Sequence, residues 1–122
     1  MASGPGYAKR PEHRVTVAPE PARLRLTLGG EVLADSARAL ALSESGYGVV
    51  HYFPKADVRM ERLTATAHAS YCPFKGTASY WSAAPLDNVV WAYETPYDEV
   101  MALAGHVAFW LAKMPGARLE RV

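Results

Sequence analysis

The stretch Leu24-Arg25-Leu26-Thr27-Leu28-Gly29-Gly30-Glu31-Val32-Leu33-Ala34-Asp35 decides the fold class. Its leucines alternate with Arg25 and Thr27, and a period of two puts Leu24, Leu26 and Leu28 on one face of a half-buried strand. Gly29 and Gly30 supply the positive φ angles of a tight turn, and Glu31 to Asp35 runs back. The stretch reads as a β-hairpin.

The same alternation continues on both sides. Val15 and Val17 alternate with polar neighbours, and Leu40 and Leu42 do so before the turn residues Ser43-Glu44-Ser45-Gly46. Val49-Val50-His51-Tyr52-Phe53 is β-branched and aromatic, and Pro54 stops it by removing a donor. Lys55 to Val58 reads as a turn or one helical turn. Thr64–Tyr71, Thr77–Ser82 and Val89–Tyr93 are further strands, the last two separated by the turn Pro85-Leu86-Asp87-Asn88. One short helix is expected near residues 96–104. Thr95 can cap it, Pro96 suits its first position, Asp98 and Glu99 favour its positive end, and Gly105 terminates it. Val107-Ala108-Phe109-Trp110 then returns as a strand. Residues 1–12 carry Gly4, Pro5, Gly6 and Pro11 with mixed charge and read as a flexible N-terminal tail, leaving 13–122 as a single β-rich domain. The expected fold is mainly β, a compact antiparallel domain with one short helix.

Composition limits the function. A chain of 122 residues is one domain, and 50% apolar with 20% charged residues is ordinary globular composition. Lys and Arg number 13 against 12 Asp and Glu, for a net charge of +1. The halves divided after Glu61 carry 8 basic against 7 acidic residues and 5 against 5, so no basic face awaits a nucleic acid. The single Cys72 excludes an intramolecular disulfide and a multi-cysteine metal cluster. No apolar run approaches the roughly 18 residues of a membrane span, and the first residues lack the pattern of a secretory signal. The expected location is the cytoplasm.

Chemistry-bearing residues concentrate between His51 and Tyr80. Pro73 holds Cys72 extended, and Gly76 lets the backbone turn sharply after Lys75. Lys75, three positions beyond Cys72, can stabilise a thiolate, form an imine if desolvated, or act as a fixed cation for an anion. A buried, inert Cys72 and a solvated Lys75 are the structural alternative. His51, His68 and His106 lack HxH, HxxH or HExxH spacing, so no metal site is expected. The GxSxG, GxGxxG and GxxxxGK[ST] patterns are absent, which removes the hydrolase elbow and the common nucleotide loops. Among the aromatic residues, the adjacent pairs Tyr80/Trp81 and Phe109/Trp110 must each send one member off the core side, towards a pocket or a dimer interface. Trp91 and Tyr93 share a face. Asp57 and Arg59 flank Val58, where they can orient a polar ligand or pair with each other across the turn.

Five segments carry a resemblance. Tyr52-Phe53-Pro54, Asp57-Val58, Cys72-Pro73-Phe74-Lys75-Gly76-Thr77-Ala78-Ser79-Tyr80, Trp91-Ala92-Tyr93 and Gly105-His106-Val107-Ala108-Phe109 together resemble the domain of unknown function 427 family, between Leu24 and Trp110. The resemblance implies a small, mostly bacterial protein with a compact β-rich fold, similar to the tent-like folds that hold small ligands between two sheets. The zinc-binding cysteine pairs of those folds are missing here. The family's nucleotidyltransferase-like label has no counterpart in this chain, which lacks Gly-Ser followed by paired aspartates. The resemblance favours Tyr52, Asp57, Cys72, Lys75, Tyr80 and Trp91 as the positions that matter, with His106 in a slot that also takes an aromatic.

These readings lead to a small-molecule-binding domain whose pocket is walled by Tyr52, Tyr80, Trp91 and Tyr93, with His106 beside them. Lys75 and Arg59 would hold an anionic or carbonyl group, and Asp57 would orient Lys75 or the turn. No cofactor, metal, nucleic acid or membrane is expected. The alternative is an enzyme in which Lys75 or Cys72, with Asp57 in support, attacks a carbonyl-containing substrate. A third reading is a homodimeric interaction module built on the outward aromatics.

Overall fold

The computed structural model describes residues 2–122. Among the described residues ten strands are formed: β1 Val15–Pro19, β2 Leu24–Leu28, β3 Glu31–Ser36, β4 Leu40–Glu44, β5 Val49–Pro54, β6 Thr64–Cys72, β7 Gly76–Ala83, β8 Leu86–Ala92, β9 His106–Phe109 and β10 Ala117–Arg121. They make a seven-stranded sheet in the order β1-β4-β5-β9-β8-β7-β6 and a three-stranded sheet in the order β10-β2-β3. Every strand pairing is antiparallel.

The β2–β3 hairpin is closed by Gly29 at φ 58° and Gly30 at φ 83°, which pairs Leu28 with Glu31. Two positive φ values match the right-handed twist of the flanking strands. Leu24 and Leu26 are almost fully buried, each removal from water stabilising the fold by about 1.5–3 kcal/mol. A register shift after Leu26 lets the consecutive Leu33 and Ala34 both reach the core. On the far side of β2, β10 pairs Leu119 with Leu26. This strand has no signal of its own in sequence, because its neighbours Arg118 and Glu120 are charged; its partner recruits it.

The central strands of the large sheet are covered on both faces, and alternation sorts their residues. Phe53, Val90, Val107 and Phe109 pack with Leu24, Leu26, Leu33 and Met114 in a core shared with the small sheet. Their chain neighbours Tyr52, Trp91 and Ala108 turn the other way, towards Leu42, Ala78, Tyr93, Val100 and Leu103. The large sheet curls over this second core until its two ends touch, as Glu44 at the end of β4 bonds Lys75 in the β6–β7 turn.

Three expectations are corrected. The helix near 96–104 is a 3-10 segment, Asp98–Leu103, entered from Tyr97 and kinked at Val100 (φ −129°, ψ 31°), so Thr95 and Pro96 precede it and do not cap it. Its buried residues Val100 and Leu103 are three apart, and a three-residue turn brings both into the second core. The turn at Pro85 is shorter than expected, because β8 already begins at Leu86. Residues 2–12 are docked and not a free tail. Gly6–Lys9 forms one α-turn, the Gly6 N–H donates to the Pro73 carbonyl at 3.0 Å, and the Asp98 N–H donates to the Ala2 carbonyl at 2.9 Å. The Glu99 carboxylate accepts from the Gly4 N–H at 2.9 Å and from the Ser3 hydroxyl. A Cβ on Gly6 would lie 2.8–3.0 Å from the Phe74 ring, so the glycine here serves close approach. None of the described helices is long and apolar enough to cross a membrane.

Candidate functional site

The site is the seam where the ends of the curled sheet meet. Gly76, at φ 118°, turns the chain sharply after Lys75, and the Lys75 N–H closes the turn on the Cys72 carbonyl at 3.2 Å. Lys75 crosses the seam, and its Nζ donates to Glu44 Oε1 at 2.7 Å. The other oxygen of Glu44 lies 2.8 Å from His13 Nε2. These side chains are nearly enclosed: Lys75 is 13% exposed, and Glu44 and His13 are 11% each. Burial opposes ionisation of Glu44, but the hydrogen bonds from Lys75 and His13 outweigh it and hold the carboxyl below its ordinary range.

Aromatic rings close over this chain of charges. His13 stacks on Phe74 with centroids 4.1 Å apart, Tyr7 meets Phe74 edge-on at 5.1 Å, and the Tyr7 hydroxyl donates to the Phe74 carbonyl at 3.1 Å. Lys75 Nζ lies 5.9 Å from the centre of the Tyr93 ring. Burial pushes the Tyr7 hydroxyl up to about 12, with Glu99, Cys72 and Glu44 adding to the shift. Tyr93 and Tyr52 are raised further, first by burial. Tyr52, Cys72, Tyr80 and Glu44 add to the shift on Tyr93, and Glu44, Cys72 and Tyr80 to that on Tyr52, where the Trp91 hydrogen bond acts against it. The phenols, the thiol and the carboxylate therefore share one neighbourhood. Outside it opens a cleft of about 500 Å³ whose lining includes Arg10, His13, Glu44, Tyr47 and Cys72.

The sequence around this site matches a family. The sequence model of a domain of unknown function (DUF427) covers residues 16–119, and with them β1 from Thr16 onward, Glu44, Cys72, Lys75 and all four aromatic residues of the expected wall. The chain belongs to the DUF427 family. No curated protein matches it. The docked segment 2–12 and His13 lie outside the matched residues.

The structure brings together Lys75, Cys72, Tyr52, Tyr80, Trp91 and Tyr93, which all belong to or pack on the second core apart from Lys75 at its margin. Tyr52 meets Trp91 edge-on with ring centres 6.2 Å apart, and its hydroxyl accepts the Trp91 indole N–H at 3.2 Å. Tyr80 stands at the edge, with its hydroxyl 2.8 Å from Ser70 Oγ and its ring 4.5 Å from that of His68. Three expected residues are elsewhere. Asp57 accepts from Ser36 Oγ at 2.6 Å and from Arg38 at 3.1 Å, so it ties two turns together and does not orient Lys75. The Ser36 hydroxyl first, then Arg38, hold its carboxyl below the usual range. Arg59 lies with Asp57, Arg25 and Asp35 along a cleft beside the small sheet. His106 pairs opposite Pro54, and its Nδ1 lies 2.9 Å from the Ala104 carbonyl.

Glu44 and His13 are the residues that sequence reasoning missed. Glu44 stands in a run of turn residues, and His13 stands at the margin of the glycine- and proline-rich start. The one sequence signal was the Val15/Val17 alternation. It makes β1 a strand, and pairing Val15 with Glu44 carries His13 to the same end of the sheet.

Proposed function

We propose that the chain is a small-molecule-binding β domain whose site is the seam, with Lys75 as its central cation. The Lys75–Glu44–His13 chain carries the reading. It places two nitrogen donors on one carboxylate, nearly enclosed, beside a cleft that also holds the Cys72 thiol. An ammonium has three protons and Glu44 takes one, so Lys75 keeps donors for an anionic or carbonyl oxygen of a ligand. Glu44 fixes the lysine in place, and the Tyr93 ring beside it favours a cation there. Within an ion pair the lysine serves as a donor and offers no free lone pair, which favours binding over imine chemistry. A cytoplasmic, bacterial setting belongs to the same reading, since a reducing compartment keeps the lone Cys72 a free thiol.

The test is a titration of the full chain with acetate, benzoate and pyruvate, followed by the NMR shifts of Lys75 and His13. At least one of these should give saturable shifts, and Lys75→Met should bind it about tenfold or more weakly, the scale of one charge-assisted hydrogen bond, while keeping the circular dichroism of the parent. Equal affinity in Lys75→Met would refute the reading. The second reading is a thiol enzyme, favoured by the position of Cys72 on the cleft wall. It requires native Cys72 to react with iodoacetamide faster than free cysteine does at neutral pH.

A further inference from the structure

Neighbouring strands β5 and β9 pair only at Phe53–Val107 and Pro54–His106. Beyond those pairs they part, and a slot of about 310 Å³ opens between Val49–His51 and Phe109–Leu111. Leu26 and Leu119 of the small sheet form its floor, and Trp91 and Trp110 stand at its side with ring centres 6.4 Å apart. Large apolar side chains left in water gather here: Val49 is 56% exposed, Trp110 40% and Leu111 38%. No residue lines both this slot and the seam cleft.

The slot has one ionisable side chain in its lining, His51, whose Nε2 lies 2.8 Å from Glu20 Oε1. Glu20 is a buried carboxylate that also accepts the Ala22 N–H at 2.9 Å. Those two hydrogen bonds, Ala22 first, hold its carboxyl below the ordinary range, so it is ionised at neutral pH. An ionised partner can only accept, so in neutral His51 the proton sits on Nε2 and Nδ1 becomes an acceptor. Among the described residues Nδ1 makes no hydrogen bond.

We propose that this slot is a second ligand site, which takes a small planar aromatic molecule carrying a hydroxyl or N–H donor. The ring lies against Trp91 and Trp110 over the apolar floor, and the donor reaches Nδ1 of His51. Volume sets the size. Sites for drug-sized ligands begin at about 300 Å³, so the slot admits one or two fused rings and excludes a helix.

The experiment uses 2-naphthol, with naphthalene as the same ring lacking the donor, and follows the indole N–H resonances of Trp91 and Trp110 in the full chain. Both indoles should shift saturably, with 2-naphthol bound about fivefold or more tightly than naphthalene, as one net hydrogen bond allows. Trp110→Ala, which removes an exposed side chain, should weaken binding about tenfold. His51→Phe should erase the preference for the donor; Glu20→Gln, which frees the tautomer, reads the same property if His51→Phe does not fold. Absence of saturable shifts, equal affinity for the two rings, or shifts confined to His13 and Lys75 would each overturn the proposal. So would a dimer in sedimentation that Trp110→Ala dissociates, because a second copy would then fill the slot.

Discussion

At the scale of single residues, Glu44 decides the character of the seam. It is nearly enclosed, and two nitrogens are bonded to it. A carboxyl whose native pKa is depressed resists protonation more than it does in the unfolded chain, so below its ordinary range the unfolded state binds the proton first. The stability it contributes is present above that range and lost as pH falls through the depressed value. Glu44→Gln should cost about 1–3 kcal/mol at neutral pH, the scale of hydrogen bonds to a charged group. Denaturant titrations from about pH 7 down to about pH 3 should then show the two proteins converging, since acid removes from the parent what the variant already lacks. Parallel curves would mean that Glu44 contributes no charge to folding. The sequence marked Lys75 through its place between Cys72 and Gly76, a local signal. Nothing local marks Glu44, which is 31 positions away and acquires its role only when strands pair.

At the scale of elements, legibility followed how local the cause was. The β2–β3 hairpin was readable because its leucine alternation and its two glycines act within twelve residues. β10 was not, since a single half-buried leucine between charges says nothing until β2 presents a partner. The 3-10 segment was read as an ordinary helix because capping residues and dipole arguments ignore what Val100 and Leu103 must reach. Glycine and proline misled at residues 2–12 for the opposite reason. There Gly6 serves contact with Phe74. Gly6→Val should push this segment off Phe74 and His13, and hydrogen exchange at residues 4–10 should rise sharply while the amides of β7 and β8 keep their protection. Unchanged exchange at the segment would show that its docking does not depend on the close approach.

At the scale of the whole molecule, the aromatic residues of the expected wall pack on one core, and the polar residues expected beside them are dispersed. Tyr52, Trp91 and Tyr93 fall on one face because period-two alternation is a property of each strand. Asp57, Arg59 and Lys75 had no such rule to place them. Asp57 bonds Ser36 and Arg38 beside the small sheet, whereas the curl of the large sheet brings Lys75 across to Glu44. That curl, with a core on each face of the sheet's central strands, makes a seam in so small a chain and sets a cationic donor beside a cleft.

The most direct test of a ligand site at the seam is native mass spectrometry of freshly purified protein, compared with its denatured mass and with Lys75→Met purified alongside. The account predicts an added mass on the native protein that is released on denaturation and is missing from Lys75→Met. The same added mass on both proteins, persisting in Trp110→Ala, would contradict it, as would a bare native mass that acetate, benzoate and pyruvate all leave unchanged.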